Sequence, residues 1–453
     1  MSGSITFNEF NLNKPLLNAL ADLNIEHPTA IQEKVFSPIL AGKDVIGIAQ
    51  TGTGKTYAYL LPIFRLWKFN KTPHAVMMII VPTRELVAQV VGEIEKLTTY
   101  MNVVVKGVYG GTNINTQKLA IDEGLDIVVG TPGRLMDLLL DGVLKTKQIK
   151  TLIIDEVDEM LNLGFRTQLK NLFELLPTKR QNLMFSATMT EEVEGVVDMV
   201  TDYYQKIEAA PSGAPLENIE QYTYAVPNFN SKANLLSLLL NEDATMKKVL
   251  VFVSTKKMAD ALYERMFPSF VEQVGIIHSS KSQNYRFAAV ENFMNGTYRF
   301  LIATDIIARG LDVTGISHVI NFDLPDVAEK YIHRIGRTGR AEEKGIAISF
   351  ITEEDEQSKL AVEALMKLKI AEAELPEELE LSDELIDLEK TVEHIPFNDH
   401  KIKKVEPSGP AFHEKKAKNK KVNNKVSYKD KMKLKYKKPK TRGQKPKKSR
   451  KKR

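Results

Sequence analysis

The 453-residue chain has no cysteine, a single tryptophan and no run of eighteen or more apolar residues. Without cysteine there is no disulfide framework and no thiolate zinc site. Without a long apolar run no segment reads as a membrane-spanning helix, so no membrane partner is expected. The N-terminus, MSGSITFNEF, has neither a basic nor an apolar leader region, and the expectation is a cytoplasmic protein. An apolar share of 43% suits globular lobes, and the length exceeds one ordinary core, predicting two domains and a tail.

The net charge of +5 conceals two opposed populations. Residues 401–453 carry 24 Lys/Arg against 3 Asp/Glu, a local +21, which leaves 39 against 55, or −16, in residues 1–400. A polyanion is the natural partner of such an end. Its lysines are spread among Asn, Pro, Gly and Ser with almost no Leu, Ile or Val, so no core forms and a disordered basic tail is predicted.

Strand-like runs alternate with helical stretches up to about residue 209: VIGIA, AVMMIIVP, VVVKGVYG, DIVVGTP, TLIIDEVDE and NLMFSAT. This alternation predicts a parallel sheet with helices on both faces. The segment 210–216, with two prolines and a glycine, reads as a linker. A second set follows over 217–368, with KKVLVFVST, VEQVGIIHSS, YRFLIATD, GISHVINFDLP and KGIAISFIT as strands. Residues 369–400 form an acidic connector whose core, AEAELPEELELSDELIDLEK, reads either as a short amphipathic helix or as a solvated stretch.

Between the first strand and a helix-like segment lies Ala49-Gln50-Thr51-Gly52-Thr53-Gly54-Lys55-Thr56. A glycine-rich turn at a helix N-terminus lets backbone N–H groups converge on phosphate oxygens. Lys55 neutralises the β/γ-phosphates, and the Thr56 hydroxyl ligates Mg²⁺. At the end of another strand stand Asp155 and Glu156, then Val157 and Asp158. Carboxyl ends of parallel strands face the ligand crevice, so Asp155 is placed to share the Mg²⁺ and Glu156 to activate water. Ser186 and Thr188 follow a neighbouring strand and offer hydroxyls to those carboxylates. The second half has no phosphate loop of its own but carries His333-Arg334-Ile335-Gly336-Arg337-Thr338-Gly339-Arg340, whose arginines suit a γ-phosphate or a nucleic-acid backbone.

Together these residues resemble the DEAD-box ATP-dependent RNA helicases of superfamily 2, over about residues 5–368. The resemblance implies two tandem RecA-like lobes and an RNA-dependent ATPase, monomeric, with ATP and Mg²⁺ as its cofactors and RNA as its partner. Pro28-Thr29-Ala30-Ile31-Gln32 resembles the family's Q motif, which implies that Gln32 reads the adenine edge and the upstream Phe7 stacks on the ring. Pro82, Thr83 and Arg84, then Gly110 and Gly111, then Thr131, Pro132, Gly133 and Arg134 match RNA-backbone motifs of the first lobe. Thr255, Gln283, Arg286 and Thr304 match those of the second. Asp312 is implied near the ribose, Arg337 and Arg340 as arginine fingers, and His333 as the bridge to Asp158.

Four positions depart from the family pattern. The acidic tetrapeptide reads Asp-Glu-Val-Asp, Asn24 and Ile25 replace a glycine and an aromatic ahead of the Q motif, and Ser279 replaces a frequent glycine. The expected activity is ATP-driven local unwinding of short duplexes. An ATP-gated RNA clamp that seldom unwinds shares the same motifs, and a DNA-directed relative is disfavoured by the Q motif.

Overall fold

A computed structural model describes residues 5–50, 52–209, 218–305, 315–339 and 344–390. Thr51, Asp312, Arg340, the linker 210–216 and the tail 401–453 lie outside them.

The first sheet contains β1 (Val45–Ile48), β2 (Met77–Ile80), β3 (Val105–Val108), β4 (Ile127–Gly130), β5 (Thr151–Ile154), β6 (Gln181–Ser186) and β7 (Gln205–Glu208). Its order is β3-β4-β2-β5-β6-β1-β7, and every pairing is parallel. Strands β1, β2 and β4 are buried at every residue, as expected of strands covered on both faces by helices. Two apolar clusters fill the two faces, one around Tyr59, Phe64 and Phe185, the other around Met78, Leu135 and Leu152.

The second sheet repeats the plan with β8 (Ile219–Ala225), β9 (Val249–Val253), β10 (Val274–Ile277), β11 (Phe300–Thr304), β12 (His318–Asn321), β13 (Gly345–Ile351) and β14 (Ala371–Glu372). Its order is β10-β11-β9-β12-β13-β8-β14, again all parallel. All carboxyl ends of each sheet therefore lie along one edge, where the sequence motifs sit. These are two RecA-like lobes.

The strands the sequence did not announce are β7, β8 and β14. In β7 only Ile207 is buried, and β8 alternates buried and exposed residues near a sheet edge, so neither presents a continuous apolar run.

The acidic segment is neither a helix nor a solvated connector. After β14 it runs extended along the helix Phe229–Glu242 as far as Lys390, beyond the expected end of the lobe at 368. Pro376 has no N–H to continue a helix, and side chains of the neighbouring helix hydrogen-bond the segment's carbonyls in place of an internal ladder. Asn234 Nδ2 donates to Glu380 O at 2.9 Å, Asn230 Nδ2 to Glu384 O at 2.8 Å, and Asn228 Nδ2 to Ser382 O. Leu375, Leu379 and Ile386 pack onto the lobe's main apolar cluster.

Candidate nucleotide and RNA site

The phosphate loop leaves β1 at the carboxyl edge. Gly52 and Gly54 both have φ +80, a left-handed backbone that side chains resist. A Cβ at Gly54 would also collide with the Gln32 amide, which donates from Nε2 to Gly54 O at 3.1 Å. Gln32 Oε1 accepts from Thr29 N at 3.0 Å, and Thr29 Oγ1 donates to Thr53 O at 2.7 Å. Gln32 and Thr29 therefore shape the loop. Lys55 opens the helix Lys55–Arg65, with Thr56 next to it. Its Nζ is buried with no hydrogen-bond partner. A buried ammonium without an acceptor is costly, so the site fits a polyphosphate such as that of ATP.

Asp155 is buried, with Oδ2 accepting from Tyr59 Oη at 3.1 Å and Oδ1 from Glu156 N at 2.9 Å. Burial raises its pKa against the opposing pull of Lys55. Glu156 is likewise raised by burial, opposed by Lys55 and by Arg337 from the other lobe. Its backbone is left-handed, φ 54 and ψ 55, an uncommon conformation for a residue with a side chain and one that recurs at active sites. Among the described residues no three His, Cys, Asp or Glu side chains form a metal cage. Mg²⁺ is commonly held by one or two carboxylates with water and phosphate, so Asp155 beside Thr56 remains compatible with it.

Asp158 is the best-bonded acid. Its Oδ2 accepts from Ala187 N at 3.1 Å, Thr188 N at 3.0 Å and Thr188 Oγ1 at 3.1 Å, while its own N–H donates to Ser186 Oγ at 3.3 Å. Burial works to raise the Asp158 pKa, but His333, Lys55 and these hydroxyls outweigh it and hold the carboxyl below its usual value. His333 Nε2 lies 3.6 Å from Asp158 Oδ2 across the two lobes.

In the second lobe the three arginines divide their work. Arg334 forks onto Asp305, with Nε to Oδ1 at 2.5 Å and Nη2 to Oδ2 at 2.9 Å, and stacks over Phe252, so it holds the lobe together. Arg337 is buried and donates from Nε to His333 O at 3.3 Å, tying the arginine to the histidine that faces Asp158. Arg340 is outside the described residues.

Eight of the thirteen residues matched to RNA motifs line a groove of about 460 Å³, together with the carboxylates of Glu85 and Asp137, whereas Gly111, Pro132, Thr255, Gln283 and Thr304 do not line it. The first lobe lines it with Pro82, Thr83, Arg84, Gly110, Thr131, Gly133 and Arg134, the second with Ser279 and Arg286. Gly111 has φ +79, a left-handed backbone that favours glycine, and a Cβ there would displace the Arg84 guanidinium. Thr83 and Thr131 are the N-caps of the helices Arg84–Leu97 and Pro132–Leu140, and Arg134 Nη1 donates to Gln117 Oε1 at 2.7 Å. Across the lobes, Arg84 donates from Nη1 to Gln283 Oε1 at 3.3 Å, Gln283 Nε2 donates to Glu85 Oε1 at 3.0 Å, and Arg286 ion-pairs with Glu85. Burial, then Arg84, draw the Arg286 pKa down to about 10. Thr255 caps the helix Lys256–Met266, and Thr304 closes β11.

Phe7 lies at the start of the first lobe, in the turn Phe7–Phe10. It is only 3% exposed and its ring packs 5.5 Å from Phe10, inside the apolar cluster of the first lobe. Two departures from the family pattern have a physical reading. Asn24 has φ 55, the left-handed geometry that asparagine tolerates in place of glycine, and Ile25 packs on the same cluster as Phe7. Sequence reasoning missed Tyr59, an ordinary residue whose role comes from a contact made 96 positions away.

The family model described as DEAD/DEAH box helicase matches residues 29–196, and the helicase conserved C-terminal domain matches 231–342. The DEAD-box ATP-dependent RNA helicase RhpA of Helicobacter pylori is 38% identical over 371 residues, covering 82% of this chain and 74% of its own. The chain belongs to the DEAD-box ATP-dependent RNA helicases. It is accordingly an RNA-dependent ATPase and helicase that uses ATP. Among solved structures of DEAD-box relatives, S. cerevisiae Dbp5 bound to RNA and ADP BeF3 superposes with a TM-score of 0.73 at 27% identity, over 81% of this chain and 95% of that one. A structure of Dbp5 bound to Nup159, Gle1, IP6 and ADP gives 0.57 at 26% identity, over 80% and 95%. Among the described residues no helix of this DEAD-box chain is long and apolar enough to cross a membrane.

Proposed function

We propose that the chain hydrolyses ATP between its lobes and uses their closure for local, non-processive separation of short RNA duplexes or remodelling of RNA–protein complexes. The observation that carries this reading is the meeting of the lobes at the acidic tetrapeptide, where His333 Nε2 stands 3.6 Å from Asp158 Oδ2 and Arg337 Nε donates to His333 O at 3.3 Å. Lys55 holds the β/γ-phosphates, Glu156 orients and deprotonates the attacking water, and Arg337 stabilises charge on the γ-phosphoryl group. Mg²⁺ bound by Thr56 and Asp155 would screen the phosphate charge. The Asp155-Glu156-Val157-Asp158 run serves as the family's acidic tetrapeptide, with Val157 fully buried. Gln32 reads the adenine, while Phe7 supports the wall behind it.

RNA lies in the groove that Arg84, Arg134 and Arg286 line, contacted through its phosphates and 2′-hydroxyls with little base preference. By linkage, ATP and RNA strengthen each other's binding. Thr51, Asp312 and Arg340 keep the roles that the resemblance implies, Arg340 as the second finger. The +21 tail binds phosphates through counterion release and tethers RNA near the core. The protein acts as a monomer in the cytoplasm.

Separation of a short and a long duplex at matched ATPase tests this. The short duplex should melt with ATP and the long one should not. RNA held by ATP without separation of either would make the protein a clamp.

A further inference from the structure

Because the second sheet is parallel throughout, β9, β10 and β11 end along one edge, and Thr255, Gln283, Arg286 and Thr304 lie there. The acidic segment returns to that edge. Ala373 N is still bonded to Thr223 O at 2.8 Å beside β14. The chain then runs antiparallel to the helix Phe229–Glu242, since Asn234 holds Glu380, Ser231 and Asn228 hold Ser382, and Asn230 holds Glu384. Glu389 ends the run by accepting from Phe229 N at 2.5 Å through Oε1 and from Ile386 N at 3.1 Å through Oε2. Phe229 is the first residue of that helix, whose first turn also holds Lys232. The Lys232 ammonium stands 3.5 Å from Asp323 Oδ1, and Asp323 Oδ2 accepts from Ser254 N at 2.8 Å. Ser254 adjoins Thr255.

We propose that residues 373–390 are a strap that anchors the basic tail at the RNA-facing edge of the second lobe, with Asn230, Asn234 and Glu389 as its positioning residues. The proposal rests on the tether reading above. About ten residues separate the end of the strap from the lysine-rich run, so that run starts within at most about 36 Å of the edge. A released strap would lengthen the free linker to nearly thirty residues. The concentration of tail at the edge would then fall about fivefold, following the −3/2 power of linker length. The strap's own carboxylates, among them Glu377, Glu380, Asp383 and Asp387, are exposed. If they instead held the tail away from RNA, release would have the opposite effect.

The test combines Asn230→Ala, Asn234→Ala and Ile386→Ser, in the full chain and in a chain lacking residues 401–453. Alanine favours the helix that carries the asparagines, so that element is retained. The half-saturating RNA concentration for ATPase should rise about fivefold in the full chain and stay unchanged in the shortened one. No change in the full chain, or a fall, overturns the strap. If removing the tail alone leaves the RNA requirement untouched, the tether reading fails and the strap's purpose fails with it. Placement has a separate readout that needs no RNA. The chain has no cysteine, so Lys257→Cys with Asp387→Cys, an exposed position on the strap, accepts one pair of spin labels. The distance distribution should be narrow with the strap intact and broad in the triple variant, and equal widths would overturn the anchoring.

Discussion

The Nε2 atom of His333, in the second lobe, stands 3.6 Å from the Oδ2 atom of Asp158 in the first. The same oxygen accepts three hydrogen bonds from Ala187 and Thr188, so the pair joins the acidic tetrapeptide, the Ser186–Thr188 turn and the arginine-bearing helix at one atom. A hydrogen bond to a charged group is worth about 1.5–3 kcal/mol, roughly ten- to a hundredfold, which the His333–Asp158 contact reaches only if it shortens from 3.6 Å with ATP and RNA bound. His333→Ala should therefore lower RNA-stimulated ATPase by about that factor and leave ATP affinity nearly unchanged. ATPase titrated with RNA, beside nucleotide binding without it, checks this, and parallel losses in both would contradict a coupling role.

Lys55→Ala and Glu156→Gln should fail differently. The first removes the buried cation beside the phosphates and should abolish ATP binding. The second keeps that cation but loses the base, so ATP and RNA should be retained together without turnover. Filter binding of RNA with ATP distinguishes them, and turnover at the parental rate in Glu156→Gln would show that another group activates the water.

Arg337→Ala removes a finger from the lobe opposite the phosphate loop. RNA-stimulated ATPase should drop by about a thousandfold or more. Nucleotide affinity of the full-length variant without RNA is the companion measurement and should stay nearly unchanged, because the phosphate loop with Lys55 lies in the other lobe. Ordinary turnover in the variant would remove the arginine from the site.

The pH dependence follows from the raised Glu156 carboxyl. The base acts only when deprotonated, so turnover is present above its raised pKa and lost as pH falls through it. The acid limb of kcat with saturating RNA should lie above the ordinary glutamate value of about 4.3. An acid limb at or below that value would contradict the assignment.

Arg286→Ala should weaken RNA binding uniformly across sequences and reduce the salt slope by about one, as expected for one phosphate contact. Binding of several unrelated RNAs at a series of salt concentrations measures both. A loss confined to one sequence would mean that Arg286 reads a base.

Local chemistry made much of the site legible in advance. Glycines mark the phosphate loop, acids follow a buried strand, and arginines sit beside glycines in the second half. What stayed hidden depends on the third dimension. The Tyr59 hydroxyl reaches Asp155, and the left-handed turn at Glu156 leaves no mark in a string of letters. The acidic segment misled for a different reason. Its leucines at near-helical spacing read as an amphipathic helix, but the asparagines that bind its backbone lie some 150 residues earlier.

Strand β14 is two residues long, yet it lies against β8 where the second sheet would otherwise end. A chain cut at residue 368 would expose the backbone N–H and C=O groups on that side of β8, together with the apolar patch that Leu375, Leu379 and Ile386 cover. Unpaired edges of this kind template pairing between molecules. Shortening the protein to its apparent helicase limits would therefore make self-association its first symptom, ahead of any loss of catalysis.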